Sequence, residues 1–271
     1  MQSITLSDGE FRKFQELIFR TAGISLSEGK KPLVAGRLNK RLRHHRLPSY
    51  SAYLELLAQD TQEHQMAIDL LTTNETYFFR EPKHFDFLRD QLQGDLGSVR
   101  SPAPLRIWCG ACSSGAEPYT IAMILAETMG NRPWEILASD ISTRILQQAR
   151  SAVYPMEEAE TIPRHLLHRY GLKGTGIHDG TFMIDPALSR RVQFQQINLN
   201  GPLPDVGMFD VIFLRNVMIY FNESTKRQVV QRLLAHLHPG GYFLISHSES
   251  LNGISDAVKP IRPSVYRKPH A

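Results

Sequence analysis

Hydrophobic positions in the first ninety residues recur with a helical period. In "DGEFRKFQELIFRTAG" (8–23) Phe11, Phe14, Leu17 and Ile18 share one face, and Gly23 suits a helix end. In "KPLVAGRLNKRLRHHRL" (31–47) Val34, Leu38 and Leu42 form a stripe, while Arg37, Lys40, Arg41, His44 and His45 lie on other faces. "SYSAYLELLAQD" (49–60) and "EHQMAIDLLTTN" (63–74) continue the pattern. A helical domain is therefore predicted over 1–90. The Gly-, Ser- and Pro-rich run 91–104 then predicts a linker.

Beyond the linker the period changes. Strand-like runs at 105–109, 134–140, 190–198, 209–216 and 242–248 alternate with helical patterns at 116–129, 142–150 and 222–241. Such alternation predicts an α/β domain over 105–271: a doubly wound, mostly parallel sheet whose ligand lies beyond the carboxyl ends of the strands. The stretch 170–194, with its glycines and short β-prone runs, predicts a small antiparallel insertion.

Composition narrows the class. The chain has 271 residues, 42% hydrophobic, and a net charge of +4. Residues 1–20 show no basic start followed by an apolar run, so no signal peptide is expected. No apolar run is long enough to span a bilayer, and membrane insertion is not expected. Two cysteines exclude a disulfide scaffold and make a reducing cytoplasm the default. The eleven histidines are scattered; His165 and His168 lack a completing partner, so no metal is expected. The basic excess is concentrated between Lys30 and Arg46, which holds seven Lys/Arg and no acid.

The two cysteines sit in "RIWCGACSSGAEPYTIA" (106–122), where Cys109 and Cys112 follow Trp108 as C-x-x-C. A thioredoxin-type centre also joins a strand to a helix, but the large strand-rich region that follows argues against it. A cofactor loop uses more of the residues. Gly110 and Gly115 permit a sharp turn, and Asp140 ends the next strand, where an acid would hold a ribose. Glu117 at the helix start would repel a phosphate but meet an amino group. That chemistry favours an adenosyl cofactor carrying an amino acid, S-adenosylmethionine. The cysteines themselves read as small residues in a tight turn.

Four stretches in order, "TTNETYFFREPKHF" (72–85), "GACSSGAEPYTIA" (110–122), "FLRNVMIYF" (213–221) and "PGGYFLISHSESL" (239–251), closely resemble the chemotaxis-receptor glutamate methyltransferases, the CheR family. One departure is Ala116, where the family commonly has the first of two glutamates. The resemblance implies a Rossmann-like class I methyltransferase fold and transfer of a methyl group from S-adenosylmethionine to receptor glutamates, releasing S-adenosylhomocysteine. It assigns catalysis to Arg80 and Tyr220. Cofactor contacts fall to Asn74, Thr76, Arg80, Glu117, Asp140, Asn198, Leu199, Arg215 and Asn216. "SHSES" (246–250) lacks a nucleophile elbow and reads as a structural strand end.

The resemblance also implies a partner, the glutamate-rich helical coiled coil of the cytoplasmic part of chemoreceptors. Arg37, Lys40 and Arg41 would dock it. In some members the β-subdomain adds a receptor C-terminal peptide as a strand. A monomer is expected, without nucleic acid. Two other readings stand beside this one: a methyltransferase for another acceptor, RNA or protein, and a cofactor-sensing adaptor without turnover.

Overall fold

The computed structural model describes residues 4–98 and 103–270; residues 99–102 of the expected linker lie outside the described residues. Four helices come first: α1 (Asp8–Ala22), α2 (Lys31–His44), α3 (Tyr50–Gln59) and α4 (Thr61–Leu71). A Ser7–Glu10 capping box opens α1, and Gly23, at φ 72°, closes it. Phe11, Phe14 and Ile18 meet Val34, Leu38, Leu42, Tyr50 and Tyr53 in one core.

That core has a polar tie at its edge. Glu63, almost fully buried, accepts from Arg41 Nε at 2.8 Å and Tyr53 Oη at 2.6 Å, and it pairs with His45 at 3.0 Å. Burial alone would push its carboxyl up. The hydrogen bonds from Arg41, Tyr53 and His45 outweigh that and hold it down at about 2. Because the folded value lies below the unfolded one, the stabilisation is complete above the ordinary carboxylate range and is lost as pH falls toward 2. Glu63→Gln is expected to cost about 2 kcal/mol at neutral pH and to flatten the acid limb of stability. A series of denaturation midpoints from neutral to acid pH checks it, and parallel limbs would refute it.

Next come α5 (Pro82–Gln93) and α6 (Asp95–Ser98). Phe85, Phe87, Leu88 and Leu92 of α5 pack into the core of the following sheet. The helical core thus ends with α4, not at residue 90, and helix occupies much of the expected linker. Neither the apolar stripe of α5 nor the surface it covers was read from the sequence.

The remainder runs β1 (Leu105–Gly110), α7 (Ala116–Thr128), β2 (Trp134–Asp140), α8 (Thr143–Ser151), β3 (Val153–Pro155), α9 (Arg164–Tyr170), β4 (Gly171–Lys173), β5 (Thr181–Ile184) and α10 (Pro186–Ser189). It continues β6 (Val192–Gln196), β7 (Phe209–Leu214), α11 (Glu223–Ala235), β8 (Leu237–Ile245), β9 (Lys259–Arg262) and β10 (Val265–Arg267). The main sheet has the order β6-β2-β1-β7-β8-β10-β9. The first five strands are parallel, and β10 and β9 extend the sheet antiparallel. Alternate residues enter opposite cores: Ile107, Cys109, Val211 and Phe213 one, Trp108, Ile212 and Leu214 the other. Both faces are covered at the centres of β1, β2 and β7, so these read as short continuous apolar runs.

The insertion is a separate antiparallel sheet, β3-β5-β4. It differs from the expected 170–194 at both ends. Its first strand already starts at Val153, whereas Val192–Gln196 belongs to the main sheet beside β2.

The chain proceeds from β1 outward through β2 to β6, then returns to the other side of β1 with β7. The switch point, where ligands of such sheets bind, therefore lies beyond β1 and β7. The helical domain covers it. Asp69 of α4 accepts from the backbone of Thr143 and Arg144 at the start of α8, at 3.0 and 3.1 Å. Asn198 donates to the Thr21 carbonyl at 2.6 Å, and Ser25 N donates to the Tyr220 carbonyl at 2.8 Å.

Candidate active site

Between the helical domain and the carboxyl ends of the strands lies a cavity of about 650 Å³. Asn74, Thr76, Arg80, Glu117, Asp140, Asn198, Leu199, Arg215, Asn216 and Tyr220, scattered over some 150 positions of sequence, all line it. Strand ends explain the convergence: β2 finishes at Asp140, and β7 delivers Arg215 and Asn216. Asn198 and Leu199 follow β6, and Glu117 sits in the first turn of α7.

The loop after β1 turns through left-handed residues at Ala111 (φ 56°), Ser113 (φ 51°) and Gly115 (φ 93°). Gly110 instead ends the strand, so the turning role expected of it belongs to Ala111 and Ser113. At Gly115 the requirement is double, since a Cβ there would come within 2.9 Å of the Tyr154 hydroxyl. The loop aims Ser113 N at Asp140 Oδ2, 2.9 Å away, while Ser142 N donates to Oδ1. Asp140 is 6% exposed, and its burial pushes the carboxyl up. With the Ile141 amide as a third backbone donor, the carboxylate still keeps acceptor capacity for a hydroxyl within the cavity. It supports the start of α8 through Ser142, which is itself the cap.

Glu117 is gripped from two sides. Arg215 Nη1 lies 2.5 Å from Oε2, and the Cys109 thiol donates to Oε1 at 2.8 Å. Cys109 is therefore not the incidental residue expected from sequence. Both thiols are free and buried, and burial pushes both well up. That is opposite to the depressed thiol of a redox C-x-x-C, and the thioredoxin reading ends there.

Arg215, its side chain 1% exposed, also meets Glu81 Oε2 at 3.1 Å and donates to the Arg80 carbonyl. The Arg80 side chain stays in the cavity wall, donating to the Glu75 carbonyl at 3.1 Å and lying over the Tyr77 ring. Asn74 contributes its carbonyl to Ser113 Oγ at 2.8 Å. Asn198 is committed partly to structure, its amide held by Thr21 and Asn200.

The "SHSES" segment does more than end a strand. Glu249 accepts from the backbone of Ser246 and Asn216 and faces that of Met218 and Ile219, fixing the turn that carries Tyr220. Ser246 Oγ donates to Glu81 at 2.7 Å. Sequence reasoning missed Glu81 and Glu249 because the partners that give them their roles, Ser246 and Arg215 for Glu81 and Asn216 for Glu249, lie far away along the chain.

Two of the three expected docking residues face inward. Arg37 donates to the carbonyls of Leu71 and Thr72, closing the end of α4, and Arg41 binds Glu63. Lys40 alone of the three is exposed. Their long stems let guanidiniums on a seemingly solvated face reach back to buried acceptors.

The residues suit S-adenosylmethionine. Two carboxylates, Glu117 and Asp140, stand at separate points of one cavity, and α7 presents an acid, not an open anion seat. The comparisons agree. Residues 74–266 match the family model for the CheR methyltransferase, SAM binding domain, and residues 9–72 match that for the CheR methyltransferase, all-alpha domain. A chemotaxis protein methyltransferase 2 of Pseudomonas aeruginosa is 42% identical, over 95% of this chain and 92% of that protein. A chemotaxis protein methyltransferase of Escherichia coli K12 is 41% identical, over 93% and 87%. One of Borreliella burgdorferi is 36% identical, over 98% and 96%. With both halves matched in order and relatives aligned over nearly their whole length, this chain belongs to the CheR methyltransferase family.

Proposed function

We propose that this protein methylates glutamate side chains in the cytoplasmic part of chemoreceptors, forming γ-methyl esters. The observation that carries the reading is the cavity at the β1/β7 switch point, with Glu117 and Asp140 on the sheet side and Arg80 and Tyr220 in its wall. When bound, S-adenosylmethionine supplies an electrophilic methyl group on a sulfonium. Glu117 would receive the ammonium of the cofactor, Asp140 the ribose hydroxyls, and Ile197, Asn198 and Leu199 the adenine. Asn74 and Thr76 would close the cavity from the helical side.

The acceptor carboxylate is already ionised near neutrality, with an ordinary pKa of about 4.3, so no residue has to remove a proton. The protein's task is placement of the acceptor oxygen and control of charge. Arg80 is a cation at the cavity wall suited to draw in a carboxylate. Tyr220 offers its hydroxyl from a turn braced by Glu249 and Ser25.

Exposed Lys40 and Lys30 on the α2 side give an acidic coiled coil a basic approach, and Lys30 also lines the cavity. In the small sheet, β4 is an open edge, and its central Leu172 is 46% exposed, a form suited to strand addition by a peptide. Action as a monomer in the cytoplasm fits this reading, and among the described residues no helix is long and apolar enough to cross a membrane.

The test is incubation with methyl-labelled S-adenosylmethionine and a purified chemoreceptor cytoplasmic fragment. Base-labile label on receptor glutamates is expected. Label on RNA instead, or none on the receptor, would overturn the assignment.

A further inference from the structure

Behind the cavity, a second group of polar side chains links the surface to Arg215. Glu81 begins α5 from a left-handed backbone (φ 59°), and His84 lies one turn later with Nδ1 3.3 Å from Glu81 Oε2. His84 Nε2 pairs with Ser264 Oγ at 2.6 Å, and Ser264 Oγ pairs with His247 Nδ1 at 2.8 Å. Ser264 and Asn216 are likewise left-handed, at φ 60° and 57°, and Asn216 Nδ2 reaches both Ser246 and Glu81. Non-glycine residues persist in this conformation where surrounding contacts over-determine them. His84 is 1% exposed and its Nδ1 makes no hydrogen bond, so the strut meets Glu81 through the His247 amide, which donates to Oε2 at 3.2 Å. Burial, first among the causes, drives the His84 imidazole down to about 3. A neutral ring therefore sits against a charged carboxylate.

The ledger of charge around Arg215 is unequal. One buried guanidinium faces two carboxylates, Glu81 and Glu117, so the trio carries a net charge of −1. A lone charge of that kind is costly in a dry site until a cation joins it. We propose that Glu81 is a positioning residue for the cofactor: held by the His84–Ser264–His247 strut, it shares Arg215 so that Glu117 keeps the negative charge that receives the cofactor ammonium. The inference rests on the assignment of Glu117 as the ammonium seat. Glu81, His84 and His247 also stand within 4.8 Å of one another as prospective cation ligands. Arg215 faces the same Glu81 oxygen, however, and opposes a metal ion there.

The experiment compares two ligands by calorimetry on the full chain. S-Adenosylhomocysteine carries the ammonium; 5′-methylthioadenosine lacks the whole amino-acid end. Glu81→Gln keeps the shape and removes the charge, leaving the trio neutral. It is expected to weaken S-adenosylhomocysteine about tenfold or more while changing 5′-methylthioadenosine less than about twofold. Equal weakening of both ligands, or of neither, overturns the proposal. Ser264→Ala loosens the strut from outside the cavity and serves where Glu81→Gln does not fold. A loss of about threefold, again confined to S-adenosylhomocysteine, is expected, and unchanged affinity refutes the strut. Glu117→Gln separates the underlying assignment: if it leaves S-adenosylhomocysteine affinity intact, the ammonium seat itself is wrong, whatever Glu81 does.

Discussion

Arg80→Ala is expected to lower receptor methylation by about a hundredfold or more while the protein keeps its fold and most of its cofactor affinity. The contacts of the side chain make the separation clean. Among the described residues its guanidinium donates only to the Glu75 carbonyl, and it lies 5.6 Å from the Tyr77 ring centroid, both at the edge of the cavity. Truncation therefore strands no buried carboxylate. The backbone carbonyl of Arg80, which accepts from Arg215, remains in the variant. What disappears is a positive charge beside the space where an anionic acceptor must meet a sulfonium. Arg80→Lys keeps the charge but loses the planar fork, and an intermediate rate is expected. Methylation rates at saturating cofactor, with melting temperatures alongside, decide the matter. Activity within about tenfold of the parent would remove Arg80 from the mechanism.

Legibility of this fold in its sequence followed burial. β1, β2 and β7 were readable because both faces are covered at their centres, where residues 107–109, 136–138 and 211–214 are apolar without a break. The β9–β10 hairpin was not, because all four residues of β9 are exposed and leave no alternation to detect. The three-residue strands β3 and β4 are too short for a period, so the insertion was found by its glycines and misplaced at both ends. The helical reading placed residues 82–90 in the first domain, and nothing local states that the apolar face of α5 lies on the sheet. The same distinction holds at the site. Residues at strand ends converge by topology and could be assembled from motifs. Glu81 with Ser246, Cys109 with Glu117, and Arg37 with the end of α4 depend on pairs joined only by the folded chain. An inward-folded guanidinium and a solvated one look alike in a helical pattern, which is why α2 appeared more exposed than it is.

Arg215→Met should be the most destabilising change at the site, costing about 3–5 kcal/mol at neutral pH. Methionine fills much of the volume and can pack on Phe85, whose ring lies 5.4 Å from the guanidinium carbon. The penalty thus arises from charge: Glu81 and Glu117 would be left facing each other without their cation. At this chain length such a loss corresponds to a fall of about 10 °C in Tm. The pH dependence identifies the cause. In the parent, burial pushes the Glu81 carboxyl up, but Ser246, Arg215 and the His247 amide together draw it down to about 2. Its contribution is therefore complete above the ordinary carboxylate range and lost as pH falls toward 2. In the variant, the loss of Arg215 lets desolvation raise that carboxyl, so the ionised form opposes folding and protonation relieves it. The gap in Tm between parent and variant should narrow as pH falls from 7 toward about 4, because the variant's raised Glu81 carboxyl takes up its proton over that range. A constant gap over that range would mean that Arg215 stabilises the protein by packing alone. Cofactor affinity offers a second reading of the same charge balance, because the variant's trio is reduced to two anions. If the protein folds at pH 5, ammonium-bearing ligands should still bind, whereas a site dependent on Arg215 itself for contact would bind none.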